Sequence, residues 1–469
     1  MITPITPFIR FYDFIYNYKF VLLFYLLIAL IIYINRRKFE IQLKFIALYR
    51  TKIGLKLMDR IAKRFNWFIK DLSYIGVSIG FLGMMIIVGF ILYGFYALFF
   101  IPSSPPVVGF ALPGLPIAGA GGLTIPFFIG IIALFVVVVI HEFSHGVVAR
   151  ANDINVKSSG FAMFGPIPAA FVEPDEAQLK KRVDDAHKKN AIGKNQGKFP
   201  WLFFIISCGI LIYLIYHYFL KRIPFLIGNT SLSLSLVVLL FIFMVFVSRF
   251  FYLNNYFHIT IFSAGPFSNI LAAIFVMVLF QFVFAPLHPV FFEPNGLNFG
   301  IINNTNNTPA FNAGLYDNIT YNQINGNTIL SIDNFIGELD KYSPDDVISI
   351  GNEDILFDVT LSAHDDNGSR AFLGVVPYQS ERGKYFLFSG FFKWILELMF
   401  WIFLFNFGLG LGNLLPIVIV DGGRMLHGLL DVFVDEKKAM AIISKITMIL
   451  LFIIVVLLIL PILKFLFIP

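Results

Sequence analysis

Five consecutive residues, His141-Glu142-Phe143-Ser144-His145, carry groups able to hold a metal ion and move a proton. On a helix, residues four apart share a face, so His141 and His145 can aim two imidazoles at one ion. Glu142 stands beside them, able to take a proton from an activated water. The pentapeptide follows the apolar run 125–140. Ionisable groups are costly in lipid, so a site inside the membrane is the default reading. The competing reading is chance: H-E-x-x-H arises by accident in roughly one chain of this length in a hundred, and more rarely within an apolar helix.

Two histidines leave such a site incomplete. Catalytic zinc usually takes three protein ligands and keeps one position for water. The remaining candidate is Asp421, in Asn413-Leu-Leu-Pro416-Ile-Val-Ile-Val-Asp421-Gly422-Gly423-Arg424. An unpaired carboxylate at the end of an apolar run is expensive, and a cation offsets that expense. Pro416 interrupts helical hydrogen bonding, and the glycine pair lets the backbone turn close to the site. The alternative is an Asp at a helix end in the headgroup layer, paired with Arg424. The other histidines (His187, His217, His258, His288, His364, His427) lack the i,i+4 spacing and read as loop or packing residues, with His427 notable for its closeness to Asp421.

Helices in lipid must position these groups. The chain has 469 residues, 58% hydrophobic and 14% charged, with 58 Phe, far too apolar for a soluble domain of this length. Its net charge of +6 comes from Lys and Arg in loops on one membrane side, which argues against nucleic acid as a partner. The single Cys208 excludes an internal disulfide and a multi-Cys zinc site. No cleavable signal peptide is evident. About eight spans can be drawn, at 20–34, 75–100, 125–150, 201–220, 232–253, 259–284, 391–415 and 442–467. The loop after the first span holds eleven Lys and Arg between Arg36 and Lys70, and 157–198 is again basic, so both are expected in the cytoplasm. The uncharged loop 101–124, the loop 221–231 and the polar stretch 286–384 then fall outside. Glycosylation triplets at Asn229, Asn303, Asn306, Asn318 and Asn367 lie in segments assigned outside. The expected organisation is 1–124 (N-terminal helices and basic loop), 125–285 (first part of the membrane core), 286–390 (a small β-rich extracytoplasmic domain) and 391–469 (second part of the core). Within the insert, strands are predicted near 299–302, 346–350, 355–361 and 372–376, with a turn at Asn325-Gly326.

H-E-x-x-H in a membrane helix, with N-x-x-P-x-x-x-x-D-G-G in a later one, resembles the site-2 protease family of intramembrane zinc metalloproteases. Ala264-Gly265-Pro266-Phe267-Ser268-Asn269 is similar to that family's G-P-x-x-N helix start. Phe171-Val172-Glu173-Pro174-Asp175-Glu176 resembles the segment after its membrane-embedded hairpin. Pro309-Ala-Phe-Asn-Ala313-Gly314-Leu315, followed by Ile324-Asn325-Gly326, resembles a PDZ domain, although Asn318 stands where Asp is usual. The resemblance covers roughly 125–198 and 258–430. The two spans between Glu176 and Ser263 depart from it.

The resemblance implies a polytopic α-helical membrane protein with Zn²⁺ on His141, His145 and Asp421 and Glu142 as general base. It implies substrate-binding roles for Asn269, Asn413 and Pro416, Asn269 donating a hydrogen bond to substrate backbone or oxyanion. The stretch 158–172, with Gly160, Gly165, Pro166 and Pro168, is unsuited to a regular helix, and in the family it forms a β-hairpin. Its backbone can then pair with an unwound substrate by strand addition. The implied substrate is a transmembrane segment of a single-span membrane protein within the bilayer. The insert is expected to screen substrates by ectodomain size or to hold a peptide C-terminus. Two alternatives stand beside this. A protease that trims prenylated tails would share H-E-x-x-H but typically use a downstream Glu. A catalytically silent scaffold or chaperone would bind client tails through the insert, yet has no chemical reason to keep all four site residues. A transporter is expected to show repeats or further buried charges, and neither is seen.

Overall fold

The computed structural model describes residues 6–42, 46–101, 108–109, 112–114, 117, 123–164, 167–192, 247–252, 256–301, 308–316, 319–364, 367–431 and 433–467. The predicted span 201–220, most of 232–253, the hairpin turn Gly165-Pro166, Asn229, Asn303, Asn306 and Asn318 lie outside the described residues. Two compact units divide the chain, 1–277 with 398–469, and 278–397.

In chain order the first unit contains α1 (Thr6–Ile34), β1 (Glu40–Gln42), β2 (Ile46–Thr51), α2 (Leu55–Arg64), α3 (Asn66–Phe100), α4 (Phe127–Ala151), β3 (Val156–Phe164), β4 (Ile167–Pro174), α5 (Glu176–Ile192) and α6 (Phe257–Leu279). The second unit carries α7 (Ala285–Phe291), β5 (Phe292–Ile301), α8 (Pro309–Asn312), β6 (Gln323–Ile324), β7 (Asn327–Thr328), α9 (Ile332–Leu339), β8 (Val347–Gly351), β9 (Leu356–Thr360), β10 (Ser362–His364), β11 (Asn367–Phe372) and β12 (Val375–Gly383). α10 (Phe386–Gly412) starts in that unit and ends in the first, which closes with α11 (Asp421–Leu430) and α12 (Glu436–Phe467).

Among the described residues, five helices are long and apolar enough to cross a membrane: Asn66–Phe100, Phe127–Ala151, Phe257–Phe291, Leu387–Gly412 and Glu436–Pro461. α1 adds the shorter apolar stretch Val21–Ile34. Small residues let these helices approach, as membrane packing requires. On α3, an added Cβ at Gly76 would meet Phe267 Cδ1 at 2.8 Å, at Gly80 Met425 Cε at 2.6 Å, and at Gly83 Leu414 Cδ1 at 2.5 Å. Those three glycines admit side chains from α6, α11 and the turn before α11.

The segment 413–420 is not helical, as Pro416 predicts. Irregular backbone at membrane depth has to be satisfied by protein. Here Gly422 N–H donates to the Asn413 carbonyl (2.7 Å) and Val418 N–H to Thr447 Oγ1 (3.1 Å). The Ala264–Asn269 motif, expected at a helix start, instead lies inside α6, which begins at Phe257 and tolerates Pro266 in its interior.

β3 and β4 form an antiparallel hairpin, and the sheet continues in the order β1-β2-β3-β4. Residues 40–51, read from sequence as basic loop, thus extend the hairpin, Ile46 to Thr51 pairing with Phe164 to Ser159. Arg50 fastens the addition. Its Nε donates to Glu40 Oε2 (3.0 Å) and its Nη1 to Ser158 Oγ (3.2 Å), with a further ion pair to Glu173. At Gly160 an added Cβ would lie 2.2 Å from the Tyr49 carbonyl oxygen, so only glycine allows β2 this close.

The 278–397 unit is β-rich, with sheets β7-β6-β8-β9, β12-β5 and β10-β11. Its core gathers Leu297, Phe299, Tyr321, Ile348, Ile350 and Val359. The Asn325-Gly326 pair forms the two-residue turn between β6 and β7, and both residues have positive φ, 47° and 81°.

Candidate active site

α4 brings His141 and His145 onto one buried face, 5% and 8% exposed. Asp421, the first residue of α11, meets them from a segment 280 positions downstream. Its Oδ2 lies 3.0 Å from His141 Nε2 and 3.3 Å from His145 Nε2, and the two Nε2 atoms are 3.2 Å apart. Zinc bonds of about 2.0–2.1 Å at tetrahedral angles separate ligand atoms by roughly 3.3 Å, so this near-equilateral triangle fits such an ion. Among the described residues, no other group of three His, Cys, Asp or Glu could hold a metal.

α6 supports the triangle through one face, at Ile261, Ala264, Gly265, Ser268 and Asn269, the i, i+3, i+4, i+7, i+8 pattern of a helix contact. His145 Nδ1–H donates to the Ile261 carbonyl (2.7 Å), which fixes the ring and frees Nε2. Ser144 Oγ donates to the Ala264 carbonyl at 3.2 Å and lies 2.7 Å from Ser268 Oγ. Gly265 leaves room for the rings. A Cβ there would fall 2.4 Å from His145 Nε2 and 2.5 Å from His141 Nε2.

Asp421 is held by close backbone approach. Added Cβ atoms at Gly422 and Gly423 would fall 2.3 Å from the Leu414 and 2.1 Å from the Ile417 carbonyl oxygens. The carboxylate also sits at the N-terminal end of α11, where the helix dipole favours negative charge.

Glu142 is positioned by the hairpin: Val172 N–H donates to its Oε2 (3.0 Å). That bond shows which edge of β4 is open. Alternate residues of a strand send their amides the same way. Positions 168, 170, 172 and 174 therefore face away from β3. Pro168 and Pro174 have no amide hydrogen, and the Val172 amide is engaged by Glu142. Among the described residues, Ala170 has the free N–H of this edge. The ligand triangle, Glu142, the β4 segment 169–172 and Asn413 line one cavity of about 460 Å³.

The structure thus brings together His141, Glu142, His145, Asp421 and Asn413. Asn413 is half-buried, with its side-chain amide free of protein partners among the described residues. Pro416 is buried in the turn leading to Asp421. Asn269 is fully buried behind His141, its Nδ2 lying 3.0 Å from His141 Nδ1. Gly165 and Pro166 fall outside the described residues. His427 pairs with Asp431 (3.0 Å). Sequence reasoning placed Gly265 in a motif without giving it a role, and missed the Val172 amide and Leu48 of β2, which also lines the cavity. The shared parity of Pro168 and Pro174 is a signal that could have found the open edge.

Comparison with known proteins agrees with this geometry. The chain is 31% identical over 161 residues to an uncharacterized protein of Methanocaldococcus jannaschii, MJ0971; the match covers 33% of this chain and 41% of that protein. This chain therefore spans about two fifths of that relative's length. The model of Peptidase family M50 matches residues 129–457, from early α4 to late α12, with every member of the ligand triangle inside the match. With helices able to cross a membrane and a His-His-Asp cluster in place, this multi-pass membrane protein belongs to Peptidase family M50, the site-2 protease family, whose members are zinc-dependent proteases.

Proposed function

We propose that the protein is an intramembrane zinc metalloendopeptidase that cuts transmembrane segments of single-span membrane proteins. The observation that carries this reading is the ligand triangle beside Glu142 in a cavity whose wall is an open strand edge. His141, His145 and Asp421 would hold zinc, which supplies Lewis acidity and an acidified water at neutral pH. Glu142 takes the proton of the attacking water and returns it to the leaving amine. Its Oε2 is fixed on the Val172 amide, so its orientation is set by the strand that also faces the substrate.

A helical substrate has its carbonyls engaged in hydrogen bonds, so cleavage needs local unwinding. The unwound segment pairs with β4 through Ala170. The Asn413 side-chain amide offers it a further hydrogen bond. We assign the cavity to the cytoplasmic side and the 278–397 unit to the outside, on the distribution of Lys and Arg in the loops. We assign that unit, as a PDZ-like domain, to screening substrates by ectodomain size or a newly exposed C-terminus.

The test pairs wild type with Glu142→Gln in detergent. Zinc is measured by elemental analysis, and cleavage of a single-span model substrate by gel. The expected result is one zinc in both proteins and cleavage in wild type alone. No zinc in either protein after metal-replete preparation overturns the assignment. Deleting 294–379 is expected to admit longer, uncut substrates, and unchanged substrate choice would reject the screening role.

A further inference from the structure

Asn269 is fully buried, and among the described residues its side-chain oxygen Oδ1 has no hydrogen-bond partner. Its amide nitrogen lies 3.0 Å from Nδ1 of His141. Water has little access, because α10 passes directly over the residue. At Gly410 an added Cβ would lie 3.2 Å from the Pro266 carbonyl oxygen and 3.3 Å from Asn269 Cβ. A buried acceptor left without a donor is costly and calls for an explanation.

This arrangement has a second consequence. If the amide NH₂ donates to Nδ1, the ring proton of neutral His141 sits on Nε2, the atom that points at Asp421 Oδ2. A metal at the triangle needs the Nε2 lone pair, so it needs the proton on Nδ1. Turning the carboxamide by half a rotation satisfies both demands at once. The amide oxygen and nitrogen are alike in shape, and the hydrogen-bond network decides which faces the ring. After the turn, Oδ1 accepts Nδ1–H, the orphaned oxygen has its donor, and Nε2 is free. His145 already has this design, with Nδ1–H on the Ile261 carbonyl. Residues 261 and 269 lie about two turns apart on α6, so one helix face would orient both ligand rings.

We propose that Asn269 is a positioning residue for the metal: its side-chain oxygen receives the Nδ1–H of His141 and holds that ring with Nε2 toward the ion. The inference rests on the metalloprotease reading but assigns Asn269 a partner other than the substrate. Outer hydrogen-bond partners of this kind commonly change metal affinity by about 10- to 100-fold.

The experiment measures zinc affinity by competition with a chelator, for wild type, Asn269→Leu and Asn269→Asp, in full-length detergent-purified protein. Leucine removes the acceptor and is expected to weaken zinc by about 10- to 100-fold. Aspartate can only accept, so it keeps the bond to Nδ1–H and is expected to bind zinc at least as tightly as wild type. Should the leucine variant fail to fold, Asn269→Ala takes its place: it also removes the acceptor, with less bulk, and is expected to show the same loss of zinc affinity. Loss of zinc in Asn269→Asp, or full affinity in Asn269→Leu, overturns the proposal. Absence of zinc from wild type overturns the metalloprotease reading instead, so the two failures are distinguishable.

Discussion

Gly265→Ala adds a single methyl group where the two ligand rings meet. Its Cβ would stand 2.4 Å from His145 Nε2 and 2.5 Å from His141 Nε2, whereas ordinary contact begins near 3.4 Å. The rings, or α6 itself, must withdraw by roughly 1 Å. Bonds to zinc tolerate about 0.2 Å, so the displacement is several times what the site can absorb. The rings cannot swing aside cheaply, because His145 Nδ1 is tied to the Ile261 carbonyl of the same helix. Loss of an outer partner alone costs metal sites about 10- to 100-fold, and moving two direct ligands should cost at least the upper figure. The helix itself is not expected to suffer, since alanine in a helix interior is favoured over glycine by about 0.5–1 kcal/mol. The assay is zinc content by elemental analysis beside a thermal melt. The control is Gly408→Ala on α10, where an added Cβ meets nothing within 4 Å. The expected outcome is a cooperatively folded, zinc-poor Gly265→Ala protein and a zinc-replete control. A full equivalent of tightly held zinc in Gly265→Ala would refute the geometry argued for the triangle.

Ala170→Pro removes the free amide of the β4 edge without touching the amides that face β3. It should lower kcat/KM by about 2- to 10-fold, the worth of one hydrogen bond, and leave zinc content unchanged; equal cleavage by the variant would argue against strand addition. Phe171→Pro, which breaks a hairpin bond, should instead expose β3 and β4 to hydrogen exchange. Gly160→Ala should split β2 from β3, because the new Cβ meets the Tyr49 carbonyl, and exchange protection of 46–51 is the readout. In the 278–397 unit, hydrogen bonds from Lys341 and then Asn327 hold the Glu338 carboxyl below its ordinary value. A depressed folded value stabilises the unit above the unfolded value near 4.5 and loses that contribution as pH falls through the folded one. Glu338→Gln should therefore weaken exchange protection around β7 and α9 at pH 7 and make little difference under strongly acid conditions; equal effects at both would contradict the sign.

The chemistry was legible because its signals are local. His141, Glu142 and His145 share a helical spacing, and Asp421 is marked by an apolar run before it and two glycines after it. Span placement follows from hydropathy, and the Asn325-Gly326 turn from its need for two positive φ values. β1 and β2 were hidden because strands of three and six residues sit among Lys and Arg, and β3, the strand that joins β2 to the hairpin, is more than a hundred residues away. Gly265 could be placed near the site but not given a role, and Asn269 was expected to face the substrate, whereas it lies behind His141. What a missing Cβ makes room for, and which ring an amide faces, depends on how α4, α6 and α10 pack, and no local pattern encodes that.

If membrane segments are cut as proposed, the two prolines on the open edge of β4 would bear on turnover as much as on recognition. With one free amide among the described residues, the edge would offer an extended chain mainly carbonyl acceptors, and its grip would be weaker than that of a fully equipped strand edge. Such a grip has a short lifetime, since weak contacts are expressed chiefly as fast dissociation. Cut ends can then leave before they block the next cycle. Under the proposed function, choice among membrane segments would then fall to how readily each one unwinds. Helices weakened by glycine, proline or polar residues would be cut, and stiff leucine-rich ones passed over.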